Sequence, residues 1–175
     1  TMVEALKSGE LDYALGVNAD QFDSLKSEPD ITVVNGVTNG WTMLNLNSYD
    51  QDIPGGGAST KALRDPKFRD ALGYAIDKQA LIDRVLGGYG EIGTTQVPPF
   101  QEKWHVEPDN PRTFDIELAK QKLTDAGYPL DASGQRLDKE GKPISLRLYM
   151  PTDSPNYPKM AEFISGWFEL VGIKV

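Results

Sequence analysis

Cysteine is absent from the 175 residues. That removes disulfides, thiolate metal ligands and cysteine nucleophiles together. Histidine occurs once, at His105. A multi-histidine metal site is therefore excluded within this stretch, and the common nucleophile–base triads have almost nothing to draw on. His105 lies beside Lys103 and Trp104 in a proline-rich stretch, so an ordinary loop role is expected for it. No apolar run approaches the ~20 residues of a membrane-spanning helix. Nor is there a basic cluster: 26 acidic residues face 18 basic ones, for a formal charge of -8. A surface for nucleic acid needs a local cationic excess, so none is expected as a partner. Neither a signal-peptide pattern nor a lipid-attachment cysteine opens the chain, and the residues alone give no compartment.

What is present is ordinary globular material, 39% hydrophobic and 25% charged, enough for one real core. Val3 and Leu6 share a helical side over 2–7, with Gly9 as the stop. Leu11, Tyr13 and Leu15 alternate as in a strand. Phe22 and Leu25 form the apolar pair of a short helix over 19–26. The β-branched run 31–34 and the stretch 41–47, with Trp41, Met43, Leu44 and Leu46, read as further strands. Burial on both faces is expected for the latter.

Residues 50–60, with Pro54 and the run 55–57 of glycine, read as a loop. The Gly-Lys-Ser/Thr order of a phosphate loop is missing there. Asp65 is placed to cap a helix with Pro66 at its first position. Phe68, Leu72, Ala75 and Ile76 then mark one buried face. Asp77 opens the next helix, with Leu81, Ile82, Val85 and Leu86 inside and Gly87 and Gly88 at its end. The stretch 93–112 is loop-like. Asp115 caps a helix carrying Leu118, Ala119, Leu123 and Ala126, stopped by Gly127. A hairpin or surface excursion is expected over 130–143.

The clearest strand is 144–150, with Ile144, Leu146, Leu148 and Met150 on one side and Ser145, Arg147 and Tyr149 on the other. A polar loop over 151–158 leads to a last helix beginning near Pro158. Met160, Phe163, Ile164, Trp167, Phe168 and Val171 fall there at helical spacing, as core. Gly172 ends that helix, and 173–175 read as the first half of a strand. Both ends read as interrupted elements, so an internal piece of a longer chain is expected.

The carboxylates stand in no recognisable catalytic context. A glycosidase needs two across a cleft, but Asp65, Asp77 and Asp115 are better used as caps. The stretches 131–134 and 138–141 resemble calcium-loop fragments, yet each glycine comes too early and no distal glutamate fits. Turn chemistry accounts for them.

Several stretches, in this order, carry a family resemblance. They are 5–12 (Ala5 to Asp12), 44–47 (Leu44 to Asn47), 63–78 (Leu63 to Lys78), 85–90 with 97–99, 114–128 (Phe114 to Tyr128), and 162–175. The longest, 63–78, is the most specific, although Asp70 stands where the family often has glutamine. Together they resemble the peptide, nickel and oligosaccharide binding proteins of ABC importers, the family 5 extracellular solute-binding proteins.

The resemblance implies an α/β fold: a fragment of a two-lobed, type II periplasmic-binding-protein-like architecture, mainly the second lobe, with a mixed sheet flanked by helices. Residues 1–47 would be the end of the first lobe with a hinge strand, and 48–175 the opening part of the second. It implies a binding protein and not an enzyme, with no cofactor. It would capture extracytoplasmic peptides by hinge closure and deliver them to membrane permease subunits. Oligosaccharide or a chelated metal is the alternative ligand, and a hydrolase the more distant one. A periplasmic or cell-surface location follows, with the membrane reached only through a lipid anchor outside this stretch. The loop after the strand 144–150 would face the ligand, giving Asp153, Ser154, Asn156 and Tyr157 as contacts. Trp41 and Asn45, near the inferred hinge, complete the candidate set.

Overall fold

The structure is a computed structural model and describes residues 1–36, 40–49 and 61–175. The glycine-rich loop expected over 50–60 lies outside the described residues. Two compact units emerge, and they do not follow chain order. The smaller comprises Thr1–Gly40 and Gln79–Ile92, the larger Trp41–Lys78 and Gly93–Val175.

In the smaller unit, α1 (Met2–Lys7) is capped by the Thr1 hydroxyl and α2 (Ala19–Leu25) by a reciprocal Asn18–Gln21 capping box. Such caps satisfy amide groups that a helix start leaves orphaned. Val3, Leu25, Ile82 and Val85 are its buried apolar residues. Tyr89 closes against α2, edge-on to Phe22 at 5.1 Å. The Tyr89 hydroxyl donates to Asp23, and Lys26 donates to the same hydroxyl oxygen. Gly87 has φ 61°, and a side chain there would meet the Ala19 Cβ at 2.6 Å. Helix α5 (Lys78–Val85) supplies the rest of this unit after its first residue.

The larger unit is built on α3 (Lys61–Arg64), α4 (Pro66–Tyr74), α6 (Ile116–Asp125) and α7 (Asn156–Leu170). Asp65 caps α4 with Pro66 in its first turn, and Asp115 caps α6, both as the sequence predicts. Phe68, Ala71, Leu72, Ala75, Ala119 and Leu123 are fully buried. Tyr128, Ile144, Phe168, Val171 and Ile173 belong to the same core. Each large apolar side chain withdrawn from water there contributes about 1.5–3 kcal/mol. The Asp115 amide also donates to the Tyr74 carbonyl at 2.8 Å, which fixes the start of α6 to the end of α4.

The expected strands need correction. Among the described residues, backbone pairing is limited to three isolated bridges, antiparallel at Leu130–Arg136 and Leu137–Pro143 and parallel at Ser145–Lys174. The mixed sheet implied by the resemblance is not seen among them. Leu11, Tyr13 and Leu15 are exposed, and Val34 is 75% exposed. Alternation gives a segment two faces, but a strand also needs a hydrogen-bonded neighbour. The 41–47 stretch is more regular than expected: Leu44 and Leu46 pack on the core while Trp41, Met43 and Asn45 face outward.

The excursion over 130–143 is two successive tight turns. The Asp131 carboxylate accepts the amides of Ser133 (2.8 Å) and Gln135 (2.9 Å). That of Asp138 accepts those of Glu140 (2.9 Å) and Lys142 (2.8 Å). These oxygens are occupied by backbone, as turn chemistry requires.

Between the turns sits Arg136, 1% exposed. Its Nε donates to the Val171 carbonyl at 3.0 Å. Nη1 donates to the Thr124 hydroxyl and the Tyr128 carbonyl, both at 2.7 Å, and Nη2 to the Lys120 carbonyl at 2.9 Å. Every acceptor is neutral. Lys120 and Thr124 belong to the final turns of α6, and Val171 is the C-cap of α7. The cation is thus answered by the negative ends of two helix dipoles. Gly172 accepts the Arg136 amide at 2.7 Å. It has φ 86°, and a Cβ there would lie 2.7 Å from the Gly134 carbonyl oxygen.

Two stability predictions follow from these contacts. Arg136→Met leaves several buried acceptors unmet, so urea unfolding of the full-length protein should show a loss of about 3 kcal/mol or more. Asp65 accepts the Lys139 ammonium at 2.7 Å and the Tyr128 hydroxyl at 3.0 Å. The bond from Lys139, against an opposing effect of burial, holds this carboxyl below its ordinary value of 3.8. A depressed folded pKa gives stability that is present above the unfolded value and lost as pH falls through the folded one. The full-length protein should therefore lose stability between about pH 5 and 2. Asp65→Asn should flatten that acid limb; an acid limb identical to the parent's would count against this carboxylate.

Candidate functional site

The candidate residues stand on two segments of the larger unit. In the first, Ile144 and Leu146 are buried and Leu148 packs against the core, while Arg147 and Tyr149 point outward. The Leu146 amide donates to the Lys174 carbonyl at 2.8 Å. This anchors the run that leads into 151–157. Met160, Ile164 and Phe168 bury one face of α7, so both ends of the intervening turn are held.

Helix α7 begins two residues earlier than the sequence predicts. Asn156 and Tyr157 lie in its first turn and not in a loop. The Ser154 hydroxyl accepts the Asn156 amide at 3.3 Å, and Pro155 at the N-cap has no amide hydrogen to satisfy. Proline at 158 is compatible because first-turn amides need no intrahelical partner. Asp153 is exposed, while Ser154, Asn156 and Tyr157 are half-buried.

In the second segment, Trp41 is 53% exposed and Asn45 is exposed. The Asn47 carboxamide accepts the Tyr49 amide at 3.1 Å, and the Tyr49 carbonyl accepts Arg64 Nε at 2.9 Å. Both segments share the core beneath them. Among the described residues, no hydrogen bond or ring contact joins Trp41 or Asn45 to 153–157.

Among its described residues, the larger unit includes two open concavities. One, of about 650 Å³, runs along α6 between Asp115 and Asp125, with Leu130 and Arg136 at its side. The other, of about 340 Å³, lies among Lys61, Asp138, Glu140, Lys142 and Ser145. None of the candidate residues lines either one.

Some polar contacts escaped the sequence reading. Asp70 accepts Arg112 Nε at 2.8 Å and the Lys122 ammonium at 3.0 Å. Burial raises its carboxyl pKa, but these two cations outweigh that and hold it lowered. Gly73 makes room: a Cβ there would meet Arg112 Cδ at 2.6 Å. The Lys78 ammonium donates to the Gly93 carbonyl at 2.7 Å. Burial, with Arg112 nearby, lowers its pKa. His105 is tied within its loop, with Nδ1 at 2.7 Å from the Val97 carbonyl and Nε2 at 3.0 Å from Glu107. Among the described residues, no group of three His, Cys, Asp or Glu side chains is placed to hold a metal. Among the same residues, no helix is long and apolar enough to cross a membrane.

The chain belongs to the bacterial extracellular solute-binding proteins, family 5, whose model matches residues 1–175. Among the relatives, it is 28% identical to Heme-binding protein A of Haemophilus influenzae over 99% of this chain and 28% of that protein. It is 27% identical to the oligopeptide-binding protein AppA of Bacillus subtilis over 99% of this chain and 30% of that one. The solved structure of AppA with a nonapeptide superposes with a TM-score of 0.72 at 22% identity, over 99% of this chain and 32% of that one. The chain thus spans less than a third of the length of these relatives. The AppA likeness supports the type II binding-protein fold, of which this is a part.

Proposed function

We propose that this chain is part of the substrate-binding component of an ABC importer that captures extracytoplasmic peptides. The observation that carries the reading is the family match along all 175 residues. It is joined by relatives named for peptides: AppA, and a di/tripeptide-binding protein of Pseudomonas aeruginosa that is 27% identical over 98% of this chain. Residues 1–47 are read as the end of the first lobe with its hinge strand, and 48–175 as the opening of the second. In the full-length protein, the segments 11–15, 31–34, 41–47 and 144–150 are read as strands of the lobes' mixed sheets. The working location is the periplasm or cell surface, and the membrane permease is the partner.

The mechanism is hinge closure. A ligand with contacts made only in the closed form shifts the equilibrium toward it, and no bond in the ligand is made or broken. Asp153, Ser154, Asn156 and Tyr157 are read as one face of the ligand site, with Trp41 and Asn45 as further contacts. Hydroxyl, carboxamide and carboxylate groups match the donors and acceptors of an extended peptide backbone. Tyr157 adds an apolar ring, held half-buried on the first turn of α7. Heme, the ligand in the name of the Haemophilus influenzae protein, marks the alternative of a chelated metal; oligosaccharide is the other.

Native mass spectrometry of the freshly purified full-length protein tests the ligand class. A ladder of short peptide masses is the expected outcome; a discrete sugar or chelate mass would replace the ligand and keep the mechanism. Tyr157→Ala should weaken binding of the captured ligand by about tenfold, as loss of a ~1.4 kcal/mol contact does. Its unfolding midpoint should stay that of the parent, and unchanged affinity in calorimetry would remove this segment from the site.

A further inference from the structure

Asparagine is followed by glycine at Asn35–Gly36 and again at Asn39–Gly40. In such a pair the glycine amide can reach the asparagine side chain, because the glycine has no Cβ to block the approach. The same pair is also a strong signal for a tight hairpin turn, in which both residues take positive φ. That turn is not formed at Asn35–Gly36, where neither residue has a positive φ. Asn39 lies outside the described residues.

Each of the other described asparagines is protected in its own way. Asn18 caps α2, its side chain accepting the Gln21 amide at 2.9 Å. The Asn47 carboxamide accepts the Tyr49 amide at 3.1 Å. Asn156 sits in the first turn of α7. Asn110 precedes Pro111, whose nitrogen has no hydrogen to lose. Asn45 precedes Leu46, which packs on the core. Asn35 and Gly36, by contrast, are both exposed. Among the described residues, no hydrogen bond engages the Asn35 side chain or the Gly36 amide. A Cβ at Gly36 would meet nothing within 4 Å.

We propose that Asn35 is a site of spontaneous covalent modification, converting to isoaspartate and aspartate through a cyclic imide. The Gly36 amide nitrogen gives its proton to hydroxide and attacks Asn35 Cγ. The new bond joins that nitrogen to Cγ. The bond from Cγ to the side-chain nitrogen breaks, and ammonia leaves with a proton taken from water. Water then opens the five-membered ring. Attack at Cγ gives aspartate. Attack at the main-chain carbonyl carbon gives isoaspartate, whose backbone runs through the side chain and is one carbon longer. One water is consumed and one ammonia released, with no oxidant or reductant. Either product adds a negative charge to a chain already at -8.

The test is to age the folded full-length protein in mildly alkaline buffer, digest it and locate the change by tandem mass spectrometry. Asn35 should gain one mass unit, at least about tenfold faster than Asn45. Because the amide acts through its deprotonated form, the rate should rise about tenfold per pH unit. Asn35→Gln, which would need a six-membered ring, should abolish the change. Gly36→Ala, which the open surroundings accommodate, should slow it about tenfold. An Asn35 that stays intact in the folded protein yet converts in urea overturns the proposal. So does conversion confined to Asn39, or a Gly36→Ala variant that ages as fast as the parent.

Discussion

Burying a guanidinium costs several kcal/mol unless its charge and its hydrogens are answered where it lies. At Arg136 the answer comes from carbonyls and a hydroxyl at the ends of two helices, with no carboxylate among its partners. A carboxylate could reach the cation from many directions. Helix C-termini cannot, because their carbonyls point along the helix axis. The single cation therefore fixes where α6 ends, where α7 ends, and how the 129–137 turn lies between them.

The remaining geometry of this unit leans on that arrangement. Gly172 must be glycine, because its positive φ and the Gly134 carbonyl leave no room for a side chain. The same residue accepts the Arg136 amide, and Ile173 beyond it is fully buried. Lys174 then pairs with Ser145, which sets the run 144–150 and, beyond it, the turn into α7. The contacts proposed at 153–157 thus rest on a chain of packing that begins at a buried cation. A second polar network does the same work elsewhere, where Asp70 draws Arg112 and Lys122 onto α4.

The helices were legible because their signals are local. Asp65 with Pro66, Asp115, Gly87 with Gly88, Gly127 and Gly172 are caps and stops that act within a few residues, and all stand where the sequence predicts. Strands were less legible for the opposite reason. Alternation at 144–150 identified that Ile144, Leu146 and Leu148 go inward, though Met150 at the end of the run is exposed, and pairing depends on distant segments that local pattern does not name. Arg136 was missed on similar grounds: between two glycine turns it reads as a surface residue, and only the meeting of α6 and α7 shows otherwise. The start of α7 was placed two residues late because Pro158 suits several first-turn positions.

The candidate site was legible only through family resemblance, and the structure sharpens which of its members can contribute most. A flexible exposed side chain loses its rotamer freedom on binding, at a cost that offsets much of what its contact gains. Asp153 is of that kind. Tyr157 differs: its backbone is fixed in α7, which is anchored by Met160, Ile164 and Phe168, and its ring is already half-buried before any ligand arrives. An aromatic with two side-chain torsions, partly ordered in advance, delivers contact area at low entropic cost. Trp41 has the larger ring, on a segment that packs through Leu44 and Leu46, and more than half of it is exposed. Among the six candidates, then, physical reasoning ranks Tyr157 first as the anchor. In the proposed site Ser154 and Asn156 would serve beside it as directional polar partners, and Asp153 would act chiefly through long-range charge, which salt in the medium screens.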